Sequence, residues 1–276
     1  MVEMTAAART WLYVPATRPD RFEKAASSGA DRVIVDLEDA VTPEAKAEAR
    51  QQVARATIPS AVPFYLRVNA HGTEWYADDV ALAARLPIAG VMLPKASDAG
   101  EVTALAGSLP QAQGIVPLIE SAVGLWNVLE IARAPRVERL AFGALDLQLD
   151  TGMGGGTAEL AYARSRIVIA SRVAGIAPPI DVISVVIDDE PRVEAEAREG
   201  RRFGFGGKMC IHPRQIAPTH VAYQPSADEI AWASGLLEVL EARPAGERGA
   251  FSYQGGMVDR PVIDRARRIM AAARLA

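Results

Sequence analysis

A chain of 276 residues, half of them hydrophobic and 23% charged, is long enough for one large domain with a full core and falls within the range of a single α/β barrel. A formal net charge of −4 gives no global attraction to nucleic acid or an anionic membrane, so neither is expected as a partner. One cysteine, Cys210, rules out an intrachain disulfide, the opening MVEMTAAARTWLYVPA lacks the apolar centre of a secretory signal, and no stretch approaches the roughly 18 apolar residues of a membrane span; a soluble cytoplasmic protein is expected.

In chain order, short apolar runs alternate with Ala/Glu/Arg-rich segments of helical period. The runs are TWLYVPA (10–16), RVIVDLED (32–39), PFYLRVN (63–69), AGVMLPK (89–95), GIVPLIE (114–120), VERLAFGALD (137–146), PPIDVISVV (178–186) and GGKMCIHP (206–213). Strands separated by helices imply βα units and a parallel sheet. Eight of them in about 210 residues fit a (β/α)8 barrel over 1–224 better than an open doubly wound sheet. Residues 225–276, with ADEIAWASGLLEVLEA, a polar Gly-rich connection and MVDRPVIDRARRIMAAARLA, read as C-terminal helices with a lid segment.

Polar residues fall on one side of these runs. Asp36 and Glu38, Arg67 and Asn69, Lys95, Glu120 and Asp146 all sit toward the C-terminal ends of their strands, where barrel enzymes build active sites. Glu120, the only charge in GIVPLIESAVGLWNVL, must be solvated, paired or bound to a cation. With Asp146 on the neighbouring strand it offers hard oxygen ligands that suit Mg²⁺ or Mn²⁺; as alternatives, each carboxylate caps the following helix or pairs with arginine. Arg67 can bind a carboxylate bidentately or stabilise an enolate, or else neutralise Asp36 or Glu38. Strand alternation lets at most two of Asp36, Glu38 and Asp39 face the axis; they, with Asn69, are expected to support the groups that touch substrate.

Other features carry less. Lys95 and Lys208 are the candidates for Schiff-base chemistry, which needs a depressed lysine pKa. The dispersed histidines, 71, 212 and 220, have no zinc-site spacing. His212 reads as a loop-positioning residue and Cys210 as core. TGMGGG (151–156) matches no phosphate-binding fingerprint and reads as a loop at the barrel mouth. Asp259, just before Arg260 and Pro261, is either an N-cap or a lid-borne acid or base.

The ordered stretches VPATRPDRFEKA, GADRVIVDLEDAV, LRVNA, VMLPKA, PLIESAVGL, FGALDL, YARSRIVIASRVAGI and GFGGKMCIHPRQI resemble the citrate lyase beta-subunit-like family of the HpcH/HpaI aldolase superfamily, from about residue 9 to 216. The resemblance implies a (β/α)8 TIM barrel holding Mg²⁺ through Glu120 and Asp146. Arg67 would contact the oxo-acid or thioester oxygen, with Ala144 and Leu145 of FGALDL beside the substrate. Asp259, in GGMVDRP, would be the acid/base and would reach a neighbouring subunit's site in a homotrimer or hexamer. The implied reaction is Mg-dependent cleavage or formation of a 3-hydroxyacyl-CoA, such as malyl-, citramalyl- or citryl-CoA, with CoA part of the substrate; Glu38 and a metal-bound water are the candidates for taking the hydroxyl proton. The alternatives are a class II aldolase on free 4-hydroxy-2-oxo acids and a non-catalytic assembly subunit of a citrate lyase-type complex.

Overall fold

A computed structural model describes residues 8–244 and 249–274. Residues 1–7 of the opening stretch and 245–248 of the Gly-rich connection lie outside them. The chain divides into two compact units, Met1–Val221 and Ala222–Ala276.

The first unit is the expected (β/α)8 barrel. Its strands are β1 (Thr10–Pro15), β2 (Arg32–Asp36), β3 (Phe64–Arg67), β4 (Gly90–Leu93), β5 (Gly114–Ile119), β6 (Ala141–Phe142), β7 (Ile180–Asp181) and β8 (Gly207–Cys210). All pair in parallel in sequence order, and β8 closes on β1 with Trp11 opposite Met209. The apolar runs are nearly continuous because each strand is buried on both faces. Leu12, Val14, Val33, Val35 and Leu66 pack outward with the helices, while Trp11, Ile34, Tyr65, Met92, Leu118 and Met209 fill the barrel.

That inward set places the site. Two residues beyond Trp11, Ile34, Tyr65, Leu118 and Met209 stand Tyr13, Asp36, Arg67, Glu120 and Ile211, so the two-residue period carries them to the mouth above the apolar filling. Sequence alone made two strands too long. The 137–146 run forms a strand only at Ala141–Phe142, with Val137 making an isolated bridge to Ile115. Gly143 ends it, and a helix spans Ala144–Thr151, so Asp146 lies in that helix's first turn rather than at a strand end. The 178–186 run is strand only at Ile180–Asp181; Pro178 and Pro179 just before it have no N–H for the ladder. Among the described residues, no helix is long and apolar enough to cross a membrane.

The second unit has its own core of Leu236, Leu240, Phe251, Val258, Ile263 and Ile269. Its first helix, Ala227–Ala242, opens with a capping box in which Ser226 and Glu229 satisfy each other's main-chain N–H. An antiparallel hairpin, β9 (Phe251–Tyr253) with β10 (Gly256–Val258), turns through Gln254 and Gly255, both at positive φ as a type I′ turn requires. Asp259 then caps the helix Arg260–Ala273, accepting from Val262 N at 3.4 Å.

Candidate active site

A cavity of about 340 Å³ opens at the C-terminal ends of the strands. One wall carries Asp36, Asp39, Arg67, Glu120 and Asp146; the other is apolar, with Leu118, Val182, Ile183, Met209 and Ile211. Ala144 and Leu145, expected beside the substrate, also line it, Leu145 exposed.

Arg67 is the hub of the polar wall. Its Nε and Nη2 each donate to Asp36 at 2.7 Å, a bidentate pair. Nη1 lies 2.9 Å from Glu38 Oε2, an ion pair outside hydrogen-bond alignment, and 3.4 Å from Asp39 Oδ2. Beneath it the Tyr13 ring stacks 4.8 Å from the guanidinium carbon, its hydroxyl shared between the sulfurs of Met92 and Met209. Asp36 also accepts the main-chain N–H of Glu38 and of Ala40. Its carboxylate is thereby fully used in folding the DLEDA turn around Arg67.

That turn overturns the alternation expected of Asp36, Glu38 and Asp39. The strand stops at Asp36, period two no longer applies, and all three carboxylates approach Arg67. Lys46, buried over the Trp75 ring, props the turn by donating to Leu37 O and Glu38 O. Asn69 does not share the Arg67 face: β3 ends at Arg67, and the Asn69 amide bonds Leu37 O and Asp79. Glu38, expected among the catalytic groups, does not line the cavity. It is 6% exposed and spans Arg67 and Lys95, whose Nζ donates to Glu38 Oε1 at 2.8 Å. Burial raises its carboxyl pKa against the opposing pull of Arg67 and Lys95.

Glu120 sits at a corner. Ser121 caps the helix Ala122–Trp126, accepting from Gly124 N, which stops β5 and leaves Glu120 pointing into the mouth at 3% exposure. Its Oε1 accepts the Lys95 main-chain N–H at 2.7 Å, and its Oε2 lies against Gly143, where an added Cβ would sit 2.4 Å away. Burial, then the charges of Glu38 and Asp146, push its pKa up to about 8. A carboxylate held un-ionised by burial and by acidic neighbours is the environment a dication relieves, so Glu120 and Asp146 fit a hard divalent ion. Among the described residues there is no group of three or more His, Cys, Asp or Glu that could hold one, so substrate and water oxygens would complete its shell.

The lysines lose their Schiff-base role. Lys208 points away from the mouth, buried, with Nζ on Val182 O at 2.8 Å. Burial opposes the Lys95 ammonium, but its hydrogen bond and charge pairing with Glu38 prevail, so its pKa is raised rather than depressed. Cys210 is buried core, and His212 accepts from Arg214 N at the start of a turn. No residue of 152–156 lines the cavity. Tyr13 and Gly143 were missed by sequence reasoning; Tyr13 was recoverable from its two-residue spacing after Trp11, whereas a lone glycine in FGALD carries no signal.

The profile of the HpcH/HpaI aldolase/citrate lyase family matches residues 9–213. A citrate lyase subunit beta-like protein of Deinococcus radiodurans is 35% identical over 95% of this chain and 96% of its own length. An L-malyl-CoA/beta-methylmalyl-CoA lyase of Cereibacter sphaeroides is 36% identical over 97% of this chain and 95% of its own. The crystal structure of CitE from Mycobacterium tuberculosis, in complex with magnesium, acetoacetate and coenzyme A, superposes with a TM-score of 0.87 at 35% identity, covering 97% of this chain and 98% of that one. With fold and sequence in agreement over nearly its whole length, the chain belongs to the HpcH/HpaI aldolase/citrate lyase family, whose relatives here include lyases of acyl-CoA thioesters.

Proposed function

We propose that the protein is a Mg²⁺-dependent lyase that cleaves, or in reverse forms, a 3-hydroxyacyl-CoA, giving a 2-oxo acid and an acyl-CoA. The observation that carries this reading is that buried Glu120, partly buried Asp146 and a carboxylate-clamped Arg67 line one cavity. The L-malyl-CoA/beta-methylmalyl-CoA lyase relative, and the CitE structure with magnesium, acetoacetate and coenzyme A, support it.

Glu120 and Asp146 would hold the ion, Mg²⁺ or Mn²⁺. When bound there it supplies Lewis-acid polarisation of the substrate's carboxylate and hydroxyl oxygens. Arg67 has five N–H bonds and four carboxylate contacts. Because the Glu38 contact is outside hydrogen-bond alignment, three of those donors are used and two stay free, and the long contact to Asp39 is easily exchanged. Those N–H groups stabilise the enolate oxygen that develops on the thioester as the C–C bond breaks. Asp39 lines the cavity, its side chain 60% exposed and bound only through that 3.4 Å contact, and it accepts the hydroxyl proton. Glu38 aims Arg67 from behind. Asp259 delivers the proton to the enolate carbon, supplied by a neighbouring copy in a homotrimer or hexamer. The exposed apolar residues Val123, Trp126, Leu149 and Tyr162, on helices that pack together, support self-association.

The lining also speaks to the acid half. Among the described residues lining the cavity, Arg67 is the one cation, and three carboxylates already engage it. A second substrate carboxylate, as in citryl-CoA, would meet an acidic or apolar wall. A small apolar substituent would rest on Val182, Ile183 and Ile211, which favours an oxo acid of the pyruvate type.

The test mixes the purified chain separately with malyl-, citramalyl- and citryl-CoA and with a free 4-hydroxy-2-oxo acid, with and without Mg²⁺, and follows oxo acid and acyl-CoA. Mg²⁺-dependent release, fastest from citramalyl-CoA, is the expected result. Cleavage of the free oxo acid alone would replace the thioester reading with the class II aldolase one. No cleavage of any, with metal bound, would favour the assembly subunit.

A further inference from the structure

Lys95 adopts a backbone conformation that its side chain does not favour, at φ +52° immediately after Pro94 at the end of β4. Among the described residues, two other non-glycines have positive φ, and each has a local reason. Gln254 belongs to the hairpin turn, and Arg136 spreads its guanidinium over the carbonyls of Ala106, Leu109, Pro110 and Gln113. Lys95 stands in the turn that follows Pro94, with neither a hairpin nor a carbonyl cluster to account for a non-glycine residue there. What its conformation achieves is a pair of contacts in opposite directions: its main-chain N–H meets Glu120 Oε1 at 2.7 Å, and its ammonium meets Glu38 Oε1 at 2.8 Å. Glu38 in turn lies 2.9 Å from Arg67 Nη1.

We infer that Lys95 is a positioning residue that couples the two halves of the site, its strained main chain aiming Glu120 and its ammonium aiming Arg67 through Glu38. The inference deepens the lyase reading, since it takes Glu120 as a metal ligand and Arg67 as the enolate-stabilising group. The two contacts depend on each other. The ammonium–carboxylate bond holds the lysine in the left-handed region, and that region is what turns the N–H toward Glu120. Glycine would adopt the same φ without strain but could not reach Glu38. Alanine would lack the ammonium and, with nothing to hold it, would relax toward negative φ and take the N–H off Glu120.

Lys95→Gly and Lys95→Ala in the full chain separate the two roles. Mn²⁺ binding, followed by electron paramagnetic resonance without substrate, is expected to stay within about threefold of wild type in Lys95→Gly and to weaken on the order of tenfold in Lys95→Ala. On the preferred thioester, both variants are expected to lose about a hundredfold in kcat with KM little changed, because Arg67 is mis-aimed. Added propylammonium is expected to recover part of the Lys95→Gly rate, which a merely structural role would not allow. Equal Mn²⁺ affinity in the two variants would overturn the main-chain role. An unchanged kcat in Lys95→Gly, or no recovery with the amine, would overturn the ammonium's role. Absence of thioester turnover in wild type, with the Mn²⁺ contrast intact, would sink the lyase reading and leave the main-chain role standing.

Discussion

Metal affinity should depend steeply on pH, because Glu120, the proposed ligand, has its pKa raised above neutrality when no metal is bound. Its pKa of about 8 follows from burial first and from the negative charges of Glu38 and Asp146 next. At pH 7 roughly one molecule in eleven then carries an ionised Glu120, so binding of Mg²⁺ should release about 0.9 proton and be about tenfold weaker than at pH 9. Each further pH unit downward should cost about another factor of ten. Calorimetric titration of MgCl₂ into the full chain, in two buffers of different ionisation enthalpy, measures both quantities. Stability follows the same linkage. The folded pKa lies above the unfolded carboxyl value, so the metal-free folded state binds more protons; this contribution is present at low pH and is lost as pH rises through about 8. Mg²⁺ should therefore raise the melting temperature more at pH 9 than at pH 6. An affinity flat between pH 6.5 and 9, or binding without proton release, would refute the account of Glu120.

Gly143→Ala should displace Glu120, since the new Cβ would lie 2.4 Å from its Oε2 and 2.6 Å from its Cβ. Mg²⁺ affinity should fall by about tenfold or more and kcat by about 10² with circular dichroism unchanged; wild-type binding would show that the cleft yields instead. Arg67→Met leaves buried Asp36 without its counter-charge and Glu38 with Lys95 alone, so urea unfolding should show a loss of about 3–5 kcal/mol. A loss under about 1 kcal/mol would mean that the carboxylates rearrange toward solvent. Asp259→Asn keeps a residue that caps helices as well as aspartate does, so stability should hold within about 0.5 kcal/mol. Its turnover should nonetheless drop by about 10² or more with Mg²⁺ binding intact; full activity would remove the proton-delivery role.

The barrel was legible because its signal is local and repeated: buried parallel strands must be apolar on both faces, and helices must intervene. Glu120 and Arg67 were legible for the same reason, each a charge closing an apolar strand whose inward register is set two residues earlier, at Leu118 and Tyr65. Where the strand ends, that logic ends with it. Asp36, Glu38 and Asp39 were assigned faces by alternation, yet the turn gathers all three on Arg67, because a guanidinium brought by β3 satisfies more charge than strand geometry does. Asn69, expected to support the groups that touch substrate, instead serves Asp79 and Leu37, its strand having stopped two residues before.

By itself, then, the sequence determined the barrel, the end of it that carries the chemistry, and the residue types gathered there, since hydrophobic period and strand-end polarity are properties of neighbours along the chain. Only the tertiary structure decided which of those groups meet. The clearance that Gly143 leaves for Glu120 and the paired contacts of Lys95 each depend on residues some 20 to 60 positions apart in the chain. Such contacts are fixed by barrel closure, and no local pattern in the sequence encodes them.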